Sequence, residues 1–177
     1  DAVQGVGRID SDIDRLGLNL MSLTAHKMYG PKGIGALYVR QKQPQIQLHP
    51  MIHGGGQENH IRPGTLNVPG IVGFGEACEL SKALMVEESE RMSVLRNRLY
   101  HALLNRIDCI HLNGHPEKRL AGNLNISFEF VESESLLTGL NSIALSAGSA
   151  CTSGAIQASH VLLAMGLKEE VAHTAIR

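Results

Sequence analysis

The 177 residues predict an α/β fold, and three observations carry that prediction. Short apolar, β-prone runs punctuated by glycine fill the first forty residues. A long stretch with apolar residues at three- and four-residue steps follows. Strand-like and helix-like segments then alternate to the end.

In order, Val3 to Ile9, Leu18 to Leu23 and Gly35 to Val39 read as strand pieces separated by glycines and acidic residues. Gln41 to Pro50 is polar and β-like. Gly54-Gly55-Gly56 opens a loop that runs to Thr65, either flexible or shaped for close backbone approach. From Pro69 to about Arg106, residues Val72, Ala77, Leu80, Leu84, Met92, Leu95, Leu99 and Leu103 mark one helical stripe, opposed by a charged face. Unbroken, that helix would exceed about 50 Å at ~1.5 Å per residue. Such a length suits a bridge between two domains, so the expected division is 1–86 and 87–177, inside the helix. After Asn113-Gly114, Leu124 to Phe128 alternates as a strand, Glu134 to Leu140 is helical, and Ile143 to Ser146 is a further strand. Ser149 to Ala155 is a loop of small residues. Ser159 to Met165 is a helix closed by Gly166.

Composition excludes several functions. A formal net charge of −1 gives no electrostatic reason to expect a nucleic acid or an anionic membrane as partner. Aromatic content is 3% with no Trp, which argues against base-stacking platforms. No apolar run approaches the roughly 20 residues of a membrane span. Three cysteines, Cys78, Cys109 and Cys151, are odd in number and lack CxxC spacing, which points to a reducing cytoplasm. His49, His53 and His60 match no common ligand spacing, so no metal is expected. The opening Asp-Ala-Val-Gln-Gly-Val-Gly has no signal-peptide pattern, and the expectation is an internal piece of a longer chain.

The densest chemistry lies at Leu20-Met21-Ser22-Leu23-Thr24-Ala25-His26-Lys27, followed by Met28-Tyr29-Gly30-Pro31-Lys32-Gly33. An apolar strand delivers a hydroxyl, an imidazole and one amine to a turn. That set suits a carbonyl cofactor: the amine can form a Schiff base while hydroxyl and imidazole hold a phosphate. Asp1, in Asp1-Ala2-Val3-Gln4, could keep a pyridinium nitrogen protonated, although alone it reads as an exposed acid. Arg62-Pro63-Gly64-Thr65 is an ordinary turn or a phosphate-binding one. Cys151 sits among small residues in Ala147-Gly148-Ser149-Ala150-Cys151-Thr152-Ser153-Gly154, as suits an accessible, movable nucleophile. Cys78 falls in the helical pattern and reads as core. Arg177 is a guanidinium able to grip a carboxylate in bidentate fashion.

Together these segments resemble cysteine desulfurases of the NifS/IscS class, and the likeness runs over essentially the whole chain. The resemblance implies the aspartate-aminotransferase-like fold of pyridoxal 5'-phosphate enzymes, as part of a large domain plus part of a small α/β domain. It implies Lys27 as the Schiff-base lysine, Asp1 as partner of the ring nitrogen, and Gln4 as partner of the ring hydroxyl oxygen. Thr24 and His26 would hold the phosphate, with His26 joining Lys27 and Cys151 in the catalytic set. Thr65 would reach the cofactor of the neighbouring subunit in a homodimer. Cys151 would take sulfur from L-cysteine, leaving L-alanine, and Arg177 would bind the substrate carboxylate. Iron–sulfur scaffolds and other sulfur acceptors are the implied partners, in the cytoplasm or, in a eukaryote, the mitochondrial matrix. A selenocysteine lyase is a neighbouring possibility, and the isolated chain could be a non-catalytic fragment. The chain departs from the family at Asn59-His60, where an Arg-Gly pair is common, and in length, since the family chain is well over twice as long.

Overall fold

The computed structural model describes residues 1–42, 46–147 and 158–177. The chain divides into two compact units, Asp1–Glu88 and Ser89–Arg177.

In the first unit, β1 (Leu20–Thr24) and β2 (Gly35–Val39) form an antiparallel pair with Leu20 opposite Val39 and Thr24 opposite Gly35. Gly35 is required there, because a Cβ would stand 2.6 Å from the Leu23 carbonyl oxygen. Arg40 secures the end of β2, its guanidinium donating to the Leu18 and Ile13 carbonyls and pairing with Asp14 at 2.8 Å. The helix α1 (Val68–Leu104) starts where the sequence places it. Asn67 caps it by accepting the Gly70 N–H at 3.1 Å, and Pro69 occupies the first turn, where no N–H is needed. The core of this unit is Ala25, Met28, Phe74 and Ala77, with Val6, Leu23, Ile34 and Cys78 packed against it.

Two expected strands are not strands. Val3 to Ile9 forms turns, with the Gly5 and Val6 N–H groups donating to Ala2 and those of Arg8 and Ile9 donating to Gly5. Gly7, at φ 77°, takes a left-handed conformation that breaks an extended run and sits hard against Ser81. Ile143 to Ser146 lies outside any strand, although Ser146 makes one ladder-like pair described below. The described residues between 41 and 50 are likewise not strand.

In the second unit, β3 (Ile110–Leu112), β4 (Ile126–Phe128) and β5 (Ala175–Ile176) form an antiparallel sheet in the order β3-β4-β5. Helix α2 spans Ser133–Gly139, α3 spans His160–Ala164 and α4 spans Glu169–His173. Gly166, at φ 90°, closes α3, and the Leu167 N–H returns to the Leu162 carbonyl at 3.1 Å. Leu162, Ala172 and Ala175 make the apolar core. Ser127 is wholly buried yet satisfied: its hydroxyl donates to the Val171 carbonyl and accepts from Asn113, both at 2.9 Å.

Candidate active site

The turn after β1 presents its chemistry by burying the residues between. Ala25–Lys27 is a single 3-10 turn, and Thr24 still has extended geometry at φ −138°, ψ 144°. Ala25 is the hub. It is fully buried, its N–H donates to the Ile34 carbonyl at 3.2 Å, and its carbonyl accepts from Met28 and Gly30 at 3.0 and 2.9 Å. Ala25 and Met28 face Phe74 and Ala77 of α1, so His26 and Lys27 are left exposed on the opposite side. Gly30 lets the turn descend onto the helix, since a Cβ there would meet Ala25 and Ala77 Cβ atoms at 2.9 and 3.0 Å. Gly73 does the same for Pro31, whose ring would stand 2.7 Å from an added Cβ.

Thr24 Oγ1 lies 3.0 Å from His26 Nδ1 and 3.3 Å from the Ile34 carbonyl oxygen. The hydroxyl has one proton. When it goes to Ile34, Nδ1 must donate to Thr24. The Lys27 side chain makes no hydrogen bond or ion pair among the described residues. Its carbonyl accepts from the Arg8 guanidinium at 3.4 Å, a tie between residues 19 apart that no sequence pattern signals.

Asp1 comes to the same strand. The Ala2 N–H donates to the Ser22 carbonyl at 2.9 Å, and the Asp1 carboxylate accepts the Val3 N–H at 2.8 Å. Gln4 lies exposed in the following turn. Thr65 is exposed in a separate loop, where Arg62 Nη1 donates to the Gly64 and Thr65 carbonyls at 3.0 and 3.4 Å. No hydrogen bond joins that loop to the Lys27 turn among the described residues. Arg177 belongs to the second unit and is exposed. Cys151 lies outside the described residues. Cys78 is packed with its Sγ 3.7 Å from Met28 Sδ, and burial pushes its thiol pKa up, as expected of a core cysteine.

A family model described as aminotransferase class-V matches residues 1–174. The chain belongs to the class-V aminotransferase family. Among curated relatives, it is 52% identical over all 177 residues to a cysteine desulfurase IscS of Tolumonas auensis, covering 43% of that protein. It is 49% identical to the protein of the same name from Anaeromyxobacter dehalogenans, covering 44% of it. The chain thus spans less than half the length of the curated relatives it matches. Among solved structures, a NifS-like protein superposes with TM-score 0.84 at 36% identity, over 99% of this chain and 44% of that one. A NifS-like protein from Rickettsia africae gives 0.86 at 32%, over 99% and 46%. SspA in complex with cysteine gives 0.73 at 34%, over 100% and 48%.

Class-V aminotransferases depend on pyridoxal phosphate, and the donor set fits that group. An exposed amine, a hydroxyl paired with an imidazole, and a carboxylate on the neighbouring segment match its aldehyde, phosphate and ring nitrogen.

Proposed function

We propose that this chain carries the lysine, phosphate-binding, sulfur-accepting and carboxylate-binding residues of a cysteine desulfurase. The observation that carries the reading is the Thr24–His26 pair beside exposed Lys27, in a chain half-identical along its whole length to proteins named cysteine desulfurase IscS. Lys27 would hold the cofactor, Thr24 and His26 would bind its phosphate, and Asp1 and Gln4 would partner its ring nitrogen and ring oxygen. Thr65 serves the cofactor of the second subunit in a homodimer. When bound, pyridoxal phosphate supplies an electron sink for the substrate's carbon atoms. The Lys27 amine moves the proton at the substrate Cα, and Arg177 fixes the L-cysteine carboxylate. The Cys151 thiolate takes the substrate sulfur as a persulfide; the Cβ–S bond breaks with its electron pair left on carbon, and a proton there completes L-alanine. The persulfide then goes to an acceptor, of which an iron–sulfur scaffold in the cytoplasm is one.

The test is full-length enzyme with L-cysteine and a reductant, reading alanine and sulfide. Cys151→Ala should lose sulfide release by about a hundredfold or more while keeping the cofactor's visible absorption. Lys27→Ala should lose that absorption as well. Undiminished sulfide release in Cys151→Ala would remove Cys151 from the reaction.

A further inference from the structure

We propose that Ser146 is a positioning residue for Arg177, acting through its backbone. The inference rests on the reading of Arg177 as the carboxylate-binding group. The Ser146 N–H donates to the Arg177 carbonyl at 2.9 Å, and the Arg177 N–H donates to the Ser146 carbonyl at 2.7 Å. This reciprocal exchange is the unit of an antiparallel ladder, made here by two residues outside the strands, Arg177 directly following β5.

The register of β5 explains why Arg177 needs it. Ile126 lies opposite Ile176 and Ser127 opposite Ala175, and the Phe128 N–H donates to the Thr174 carbonyl at 3.1 Å. In an antiparallel pair the N–H and C=O groups of successive residues point to opposite edges. Thr174 and Ile176 therefore face β4, while Ala175 and Arg177 face away. The backbone of Arg177 lies on the edge β4 cannot reach, and Ser146 takes both its groups. Ala175 and Ile176 are buried, so the strand is anchored up to the residue before Arg177. Ser146 carries the anchoring one residue further, to the Cα from which the guanidinium extends. The guanidinium stands at the end of a long side chain, which magnifies any rotation at that Cα. A misplacement of about 1 Å at a substrate-positioning group can cost on the order of a hundredfold.

The experiment compares Ser146→Pro, Ser146→Ala and Arg177→Ala in the full-length, cofactor-loaded enzyme. Proline removes the N–H that Arg177 accepts; alanine keeps it and removes the hydroxyl. Expected is a rise of at least tenfold in KM for L-cysteine with proline, less than threefold with alanine, and a cofactor absorption band unchanged in both. L-Cysteine titrated against that band should show the same loss of affinity without turnover. If Arg177→Ala raises KM and Ser146→Pro does not, Ser146 has no positioning role and Arg177 keeps its own. An equal rise with alanine and proline assigns the effect to the hydroxyl and overturns the backbone pair. If Arg177→Ala leaves KM unchanged, the reading of Arg177 is wrong and the inference falls with it. Should the proline variant not fold, amide exchange in the unsubstituted holoenzyme decides: Ser146 and Arg177 must be protected together, and exchange at unprotected rates overturns the proposal.

Discussion

His60 holds a backbone conformation that its side chain resists. It follows Glu58 and Asn59 in a run of three left-handed residues, with φ of 50°, 54° and 65°. Asn tolerates that region and His does so less well, each such residue costing about 1–2 kcal/mol. The resemblance places a glycine where His60 stands, and the observed φ supplies the physical reason. His60→Gly should stabilise the chain by about 0.5–1 kcal/mol, part of the relieved strain being offset by glycine's greater unfolded-state freedom. A lower urea midpoint in that variant would show the strain to be absent. Cysteine reactivity is also decided at this scale. Cys109 is exposed, whereas Cys78 has its thiol pKa raised by burial. Alkylation proceeds through the thiolate, so at pH 8 Cys109 should label well before Cys78, whose rate should climb only at higher pH. The sign for stability follows: a raised folded pKa favours the folded state below the unfolded thiol value of about 8.5, and that contribution is lost as pH rises beyond it. What was legible in the sequence here was local. Thr24, His26 and Lys27 lie within four residues, and their turn brings the first two into contact. Arg8 on the Lys27 carbonyl and Ser146 on Arg177 join residues far apart in sequence, where residue type gives no signal.

Among the elements, legibility follows period and length. β2 coincides with the run read from the sequence, and α1, at 37 residues, begins and ends within two residues of the segment read as helical, Pro69 to about Arg106. β5 has two residues and β3 has three, too few for alternation to register. Val3 to Ile9 fails as a strand because successive turns, with N–H groups returning to the Ala2 and Gly5 carbonyls and Gly7 at positive φ, replace the extended backbone. The element contact that matters most for the site is between the Lys27 turn and α1, and it depends on small residues on both sides. Gly30 and Ala25 meet Ala77, and Pro31 meets Gly73. Gly30→Ala should therefore overpack this contact, costing about 1–3 kcal/mol, since the atoms in the way are a neighbouring Cβ on a helix and backbone. In full-length enzyme the same change should weaken cofactor binding with Lys27 intact. Equal stability and an equal absorption band would mean that the turn is not seated on α1 as tightly as Gly30 indicates.

At the scale of the whole molecule, the first unit presents the residues proposed to hold the cofactor on exposed turns. Among the described residues the first unit's sheet has two strands, and Leu20 and Leu37 on it are 44% and 51% exposed. Two of its four core residues are alanines, while Val68 and Val72 on α1 remain largely exposed. A two-stranded ribbon is marginal in water, and each large aliphatic left uncovered forgoes about 1.5–3 kcal/mol of burial. Small-ligand sites bury roughly 70–90% of their ligand, whereas His26, Lys27 and Asp1 are all exposed. The relatives are more than twice as long, with 43% of their length matched. These facts together predict that the 177-residue chain alone, given pyridoxal phosphate at neutral pH, develops no strong visible band that depends on Lys27. The full-length enzyme should show one under the same conditions. The controlled comparison is Lys27→Ala in both: in the short chain the spectrum should barely change, because exposed lysines react weakly and without preference, and in the long one the band should vanish. A strong band in the short chain that Lys27→Ala erases would mean that Thr24, His26, Asp1 and Lys27 suffice as a cradle, and that the exposed strand pair is already rigid enough to hold them.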